Sequence, residues 1–155
     1  MRRLSRVVLA GALLMLPAFS QSAFAQAAAA PATKPFTMEG DVSLWSVAIK
    51  PDKTTDYEQV LAKVKEELSK SEKPEAKQQL AGWKVFKLPK PHTDGSIIYM
   101  HVITPVAGAD YNLLQVLYAT ITDPAEQKAL YELYRGAFVG NLGLSTAGLA
   151  VDMSK

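Results

Sequence analysis

The chain has 155 residues, of which 17 are basic, 15 are acidic and none is cysteine. This length suits one domain of ordinary size, and the lack of cysteine excludes a small domain held together by disulfides. Residues 1–25 contain three of the basic residues and no acid, so the remainder has 14 basic and 15 acidic residues and a formal charge of −1. Arg135 is the single arginine of that remainder. We therefore expect no nucleic-acid partner, because phosphate binding needs a basic patch.

The first 25 residues have the three parts of an export signal. Arg2, Arg3 and Arg6 form a basic start, and an apolar run covers residues 7–19. Small residues then precede a predicted cleavage between Ala25 and Gln26. The apolar run is shorter than the roughly 20 residues of a membrane-spanning helix, so we expect no stable membrane anchor after cleavage. The sequence thus predicts a periplasmic or secreted protein. A disordered linker rich in alanine and proline is expected over 26–37, and a folded domain over 38–155.

A buried strand followed by an amphipathic helix is predicted at the start of the domain. Residues 42–49 are rich in β-formers and apolar on both faces, which indicates a strand covered on both sides. Thr55 and Glu58 have the spacing of a capping box, and apolar residues follow at helical intervals. Pro74 indicates a short additional helical segment, with Gly82 as the glycine typical of a helix C-terminus. The stripe of the first helix consists of Tyr57, Val60, Leu61, Val64 and Leu68.

A hairpin is predicted in the middle of the domain. Residues 83–88 and 97–104 have the composition of strands, and the Asp94-Gly95 pair between them indicates a turn. We expect the two strands to pair in antiparallel orientation.

The last part of the domain is predicted to be a bent helical region followed by a strand. Asp110 is expected to cap a helix over 111–119, and Asp123 with Pro124 indicates that the helix then restarts. The glycines at 140 and 143 indicate a turn, which places the last strand over 144–153.

The predicted order is β-α-β-β-α-β, which is the order of ferredoxin-like α+β domains. These domains have a four-stranded antiparallel sheet with both helices on one face, and the first and third strands form its centre. Residues 42–49 and 97–103 are apolar on both sides, yet two helices cover only one side. An uncovered apolar face is larger than monomers usually tolerate. We therefore expect a homodimer in which a second copy covers that face.

The element order also resembles the dimeric α+β barrel superfamily, whose members pair two ferredoxin-like sheets face to face. The resemblance covers residues 42–153 and includes the exit from strand one over 49–53 and Gly82-Trp83 at the start of strand two. It implies a relation to antibiotic-biosynthesis and haem-degrading monooxygenases, whose activity depends on Asn, Trp or His side chains in the cleft. The second helical region of this chain has no histidine. The resemblance therefore carries no catalytic residue to this chain.

Four side chains are the candidate ligand-binding residues. Tyr99 and His101 alternate onto one face of a strand expected at the centre of the sheet, and Trp45 and Trp83 lie on neighbouring strands. Two interpretations of His101 stay open: a group that contacts a ligand, or a packed histidine with hydrogen-bonded nitrogens. The other histidine, His92, lies in a loop too far along the chain to share a metal ion with it. No metal site and no cofactor are predicted.

Two functions follow from these observations. The first is a non-catalytic dimeric module that binds a small apolar or aromatic ligand or a protein partner. The second is a cofactor-independent or haem-dependent monooxygenase that surrounds its substrate with Tyr99, His101, Trp45 or Trp83. Fold analogy alone cannot establish an enzyme, so the first function is favoured.

Overall fold

The computed structural model describes residues 34–154. The predicted leader over 1–25, its cleavage between Ala25 and Gln26, and most of the linker over 26–37 lie outside the described residues. The described part is an α+β domain with a four-stranded antiparallel sheet and several helices. Within residues 34–154, no helix has the length and apolar character needed to cross a bilayer.

The strands lie in the order β2-β3-β1-β4 across the sheet, so β1 and β3 form its centre, as the sequence predicted. The elements in chain order are β1 (Val42–Ile49), a 3-10 turn (Pro51–Lys53), α1 (Thr54–Lys70), α2 (Pro74–Gly82), β2 (Trp83–Lys87), β3 (Ile97–Ile103), α3 (Leu113–Tyr118), α4 (Pro124–Ala137) and β4 (Phe138–Ala147). Each neighbouring pair of strands is antiparallel, which confirms the predicted hairpin of β2 and β3. Gly95 has a φ of +84° in the loop that joins them, as the predicted turn requires.

One side of the sheet packs against the helices and forms the core. Residues directly opposite each other on neighbouring strands share a face, and Trp45 lies opposite His101 while Val47 lies opposite Tyr99. These side chains are buried together with the apolar stripe of α1. The helices contribute Tyr57, Val60, Val64 and Leu68 from α1, Leu113, Val116 and Leu117 from α3, and Leu130 and Ala137 from α4.

The other side of the sheet is partly exposed in the single chain. We call it the open face, and its members on β1, β2 and β3 are Leu44, Ser46, Ala48, Lys84, Phe86, Ile98, Met100 and Val102. Leu44 is 38% exposed and Phe86 is 50% exposed, Lys84 is exposed, Ala48 is buried, and the others are half-buried. The apolar character that the sequence shows on both sides of β1 and β3 therefore becomes a covered face and an open one.

The last strand begins six residues earlier than predicted, and this prediction was wrong. β4 covers Phe138–Ala147 and follows α4 without a loop. Gly140 and Gly143 lie within the strand, where its pairing with β1 shifts register twice. Glycine is common at such bulges, and Gly143 has a φ of +146°. Residues after 147 are not part of the strand, and three apolar ones, Leu149, Val151 and Met153, are exposed.

The two predicted helix caps at Thr55–Glu58 and at Asp110 were also wrong. α1 begins at Thr54 after a 3-10 turn and has no side-chain cap. The cap of α3 is Asn112, whose Oδ1 accepts hydrogen bonds from two backbone N–H groups. Asp110 instead accepts from the N–H of Phe36 at 3.0 Å, so ordered packing begins before residue 38. The Asp110 carboxylate, which the local spacing assigned to a cap, also accepts from the N–H of Asn112 at 2.9 Å.

Candidate functional site

The structure brings three of the four predicted residues into direct contact around His101. The ring centroids of Trp45 and His101 are 4.5 Å apart, and those of Trp83 and His101 are 5.8 Å apart. Tyr99 lies two positions earlier on the same face and contacts Tyr57 of α1, with ring centroids 5.0 Å apart. All four lie on the covered side of the sheet. They belong to the core of the single chain and not to the open face.

Both ring nitrogens of the fully buried His101 are hydrogen-bonded. The indole Nε1–H of Trp83 donates to Nδ1 at 2.9 Å, and Nε2 lies 2.8 Å from the hydroxyl oxygen of Tyr57. An indole can only donate, so Nδ1 is the acceptor and the hydrogen of the neutral ring lies on Nε2. His101 Nε2–H therefore donates to Tyr57. Burial lowers the pKa of His101 to about 4, which keeps the ring neutral near pH 7.

This arrangement does not suit His101 to acid-base catalysis or to haem ligation. A general base needs an unengaged lone pair, and a haem ligand needs one directed at the iron. The one lone pair of His101 is already used by Trp83. The other histidine, His92, lies in the β2–β3 loop beside Asp94, with Nδ1 3.2 Å from Oδ1. Across residues 34–154, no cluster of three or more His, Asp or Glu side chains is arranged to hold a metal ion.

The hydroxyl of Tyr99 is also engaged, at the rim of the covered side. It donates to the Glu58 carboxylate, which also accepts from Lys87 Nζ at 3.1 Å. The hydrogen bond from Tyr99, followed by that from Lys87, lowers the pKa of Glu58. Burial and the hydrogen bond to Glu58 raise the pKa of Tyr99, so the phenol stays protonated. Tyr99 thus joins β3 to α1 and to the end of β2.

An apolar groove of about 560 Å³ opens between α1 and the β2 edge of the sheet. Glu58 and Lys65 supply the charged groups in its lining, and Trp83 is the one predicted site residue that lines it. Trp83 is half-buried, so it joins the groove to the buried His101 behind it. The apolar lining consists of Leu61, Ala62, Val64, Leu68, Leu80, Trp83, Val85 and Leu113.

Gly82 allows Trp83 to take this position. A Cβ atom at Gly82 would lie only 2.8 Å from the carbonyl oxygen of Thr104, which is too close for any other residue. The N–H of Thr104 donates to the Gly82 carbonyl at 2.9 Å and fixes the start of β2. α2 therefore ends where the strand begins, and the indole enters the space between the sheet and the helices.

The sequence did not indicate the other groove residues as a site. Leu61 belongs to the predicted stripe of α1 and Val85 to a predicted strand, so both were assigned to packing. Their half-buried state arises because α1 stands away from the β2 edge. The sequence contained a partial signal, since Leu61 lies at the border of the apolar stripe and is followed by the small residue Ala62.

A second groove of about 570 Å³ lies at the C-terminal end of α1, beside α2 and the loop over 107–110. Its lining includes the charged side chains of Glu67, Lys73 and Glu75. Gln79 also lines it, and its side-chain amide N–H donates to the Asp110 carbonyl at 2.7 Å. This lining is less suited to an apolar ligand than that of the apolar groove.

Comparison with known proteins gives no relative from which a function could be transferred. The chain matches no protein-family model, and no curated protein or solved structure is significantly similar to it. The features that bear on function are therefore the apolar groove, the hydrogen-bonded residues behind it and the open face of the sheet.

Proposed function

We propose that the domain is a non-catalytic binding module that holds a small apolar or aromatic molecule in the apolar groove. The observation that carries the proposal is the groove itself, whose lining has eight apolar side chains and a volume of about 560 Å³. Small-molecule sites of proteins are mostly apolar clefts of roughly 300 to 1,000 Å³ with a few polar groups that orient the ligand. Glu58 and Lys65 supply such polar groups.

The state of the nearby titratable groups supports binding over catalysis. A monooxygenase would surround its substrate with Tyr99, His101, Trp45 and Trp83, but Trp83 alone among these lines the groove. The His101 nitrogens and the Tyr99 hydroxyl are engaged with protein partners. No observation in residues 34–154 specifically favours the enzyme.

We also propose that the domain has the ferredoxin-like arrangement and forms a homodimer through its open face. The strand order β2-β3-β1-β4, with α1 and α4 on the core side, supports the arrangement. The exposure of Leu44 and Phe86 supports the dimer, because a second copy would remove this apolar surface from water. A stable pair would bury about 1,600 Å² in total.

Export of the domain to the periplasm or medium completes the proposal. It rests on the basic start, the apolar run and the small residues before Gln26. The intact mass of protein recovered from the exported fraction tests it. Soluble protein that retains residues 1–25 would contradict cleavage after Ala25.

Ligand binding can be tested with the fluorescent probe N-phenyl-1-naphthylamine. The chain has two tryptophans. Trp45→Phe therefore leaves Trp83 as the single emitter in the groove. We expect the probe to quench Trp83 and to gain fluorescence itself in a saturable titration.

A matched pair of variants locates the bound probe. Ala62 is exposed and lines the groove, so Ala62→Phe should fill the space and weaken binding at least tenfold with little effect on the core. Ala129 is exposed on α4 and lines neither groove, so Ala129→Phe is the control. Absence of saturable binding, or equal affinities in the two variants, would overturn the proposed site.

A further inference from the structure

We propose that His101 is a positioning residue that determines which ligands the apolar groove accepts, an inference that rests on the proposed function. Its Nδ1 holds the indole N–H of Trp83 away from the groove, so the ring presents carbon to a ligand. The class of ligand that fits this wall is an uncharged aromatic molecule without a strong hydrogen-bond acceptor.

His101 is itself fixed in place, so the position of its acceptor is well defined. Its side chain is 0% exposed, and the Tyr57 hydroxyl lies 2.8 Å from Nε2. The Trp45 ring packs on it with centroids 4.5 Å apart. The histidine cannot turn without breaking the bond to Tyr57 and displacing Trp45. These contacts orient Nδ1 towards the indole of Trp83.

Trp83 is the residue whose orientation changes the chemistry of the groove. Among the apolar lining residues it alone has a side-chain hydrogen-bond donor. That N–H donates to His101 Nδ1 at 2.9 Å. The Trp83 ring also packs in an edge-to-face contact with the Tyr111 ring, with centroids 5.3 Å apart. Without an acceptor at position 101, the Trp83 indole N–H would lack a hydrogen-bond partner. If the indole turned towards the groove, its N–H could donate to water or to an acceptor on the ligand.

Two substitutions of His101 separate the acceptor from the rest of the ring. The amide oxygen of Asn is bonded to Cγ, as Nδ1 is in His. His101→Asn can therefore keep an acceptor for the Trp83 N–H. The amide of Gln lies one bond further out, near the place of Nε2, so His101→Gln keeps a partner for Tyr57 and removes the acceptor for Trp83. The pair therefore tests Nδ1 specifically.

The ligands are naphthalene and 2-acetylnaphthalene, which share a fused ring and differ by one carbonyl acceptor. Their affinities are measured by displacement of N-phenyl-1-naphthylamine from the wild-type protein and both variants. In His101→Gln the freed indole can donate to the carbonyl, so the preference for 2-acetylnaphthalene over naphthalene should rise about 2- to 12-fold, the range of one net hydrogen bond. In His101→Asn the ratio should stay at the wild-type value.

A purely structural role for His101 would lower stability and leave this ratio unchanged. An unchanged ratio in His101→Gln, or an equal rise in both variants, would overturn the inference while the proposed binding site stands. Failure of the wild-type protein to bind any of the three aromatic molecules would overturn the proposed function, and the inference with it.

A measurement on the wild-type protein keeps the test decisive if His101→Gln does not fold. Hydrogen exchange of the Trp83 indole, followed by NMR, should be slow both before and after 2-acetylnaphthalene is added. Exchange as fast as in a solvent-exposed indole, in either state, would show that His101 does not hold the donor and would overturn the inference.

Discussion

The two faces of the sheet differ in whether their side chains have partners within the chain. The covered face contains Ser43, Trp45 and His101, and each has a partner within the chain: Ser43 Oγ donates to the Glu39 carbonyl at 2.9 Å, and Trp45 Nε1 donates to Asn141 Oδ1 at 3.2 Å. The open face has apolar side chains that solvent reaches. A face covered by its own helices can thus include polar groups when each is hydrogen-bonded, whereas Leu44 and Phe86 of the open face are left exposed in the single chain.

The largest difference between the faces should appear when isoleucines of the same strand are truncated. Ile103 is 0% exposed on the covered face, so Ile103→Ala should reduce the free energy of unfolding by about 2 to 5 kcal/mol. Ile98 is half-buried on the open face, so Ile98→Ala should cost roughly 1 kcal/mol in the monomer. Urea denaturation of both variants measures this. Equal costs at low protein concentration would contradict the distinction between the faces.

The buried His101 should make the stability of the covered face depend on pH. Its pKa is lowered by burial from 6.5 to about 4, so the unfolded chain takes up a proton before the folded chain does. The stabilisation is therefore fully present above about pH 6.5 and is lost as the pH falls towards 4, by about 3 kcal/mol in total. The free energy of unfolding, measured in urea between pH 7 and pH 4, should follow this course.

The control for the pH dependence is His101→Asn, which has no titrating group at this position. Asp94, whose pKa is lowered to about 2 chiefly by hydrogen bonds from Ser96, titrates in both proteins and cancels in the difference. The stability advantage of the wild type over the variant should therefore shrink by about 3 kcal/mol between pH 7 and pH 4. A constant difference would show that His101 does not titrate as its burial implies.

A charge introduced on the open face should weaken the proposed dimer more than it lowers the stability of the monomer. Phe86 is 50% exposed, so Phe86→Lys should hardly change the stability of the monomer. If a second copy covers the face, an unpaired lysine there should weaken the dimer by more than tenfold. Light scattering should then show half the wild-type mass. Leu149→Lys, at a 70% exposed site beyond β4, should retain the wild-type mass.

A wild-type protein that is monomeric at high micromolar concentration would end the dimer proposal. Equal dissociation by Phe86→Lys and Leu149→Lys would instead show that a second copy does not use the open face specifically. Both outcomes leave the apolar groove unaffected, because the groove lies on the covered side of the sheet.

Local periodicity accounts for the parts of the fold that the sequence predicted. The alternation of β1 and β3 and the helical stripe of α1 depend on residues close together in the chain, and their bounds agree with the structure to within a residue or two. β4 differs because its extent depends on a distant strand. Pairing with β1 places Gly140 and Gly143 inside the ladder, next to its two register shifts, whereas local glycine statistics alone indicate a turn there.

The candidate site was predictable only in its buried part. Alternation placed Tyr99 and His101 on one side of the sheet, and the structure adds Trp45 and Trp83 around His101. The groove depends on how far α1 stands from β2, which no periodicity encodes. The same holds for Glu58, whose capping-box spacing is overridden by its contacts with Tyr99 and Lys87.

A smaller difference should separate two tyrosine hydroxyls, that of Tyr57 on α1 and that of Tyr99 on the covered face. The Tyr57 hydroxyl is buried and accepts from His101 Nε2, so Tyr57→Phe leaves that N–H unsatisfied and should cost about 1 to 3 kcal/mol. The Tyr99 hydroxyl bonds to Glu58, whose side chain is 49% exposed and also pairs with Lys87. Water can replace that bond, so Tyr99→Phe should cost less than about 1 kcal/mol.

Each of these variants removes one oxygen atom and retains the ring, so packing is nearly unchanged and the comparison isolates hydrogen bonding. Thermal and urea denaturation at pH 7 measure the two costs. A cost for Tyr99→Phe that equals or exceeds that for Tyr57→Phe would mean that the rim contact with Glu58, and not the buried histidine, joins α1 to the sheet. The polar groups around His101 would then be satisfied without contributing to the attachment of the helix.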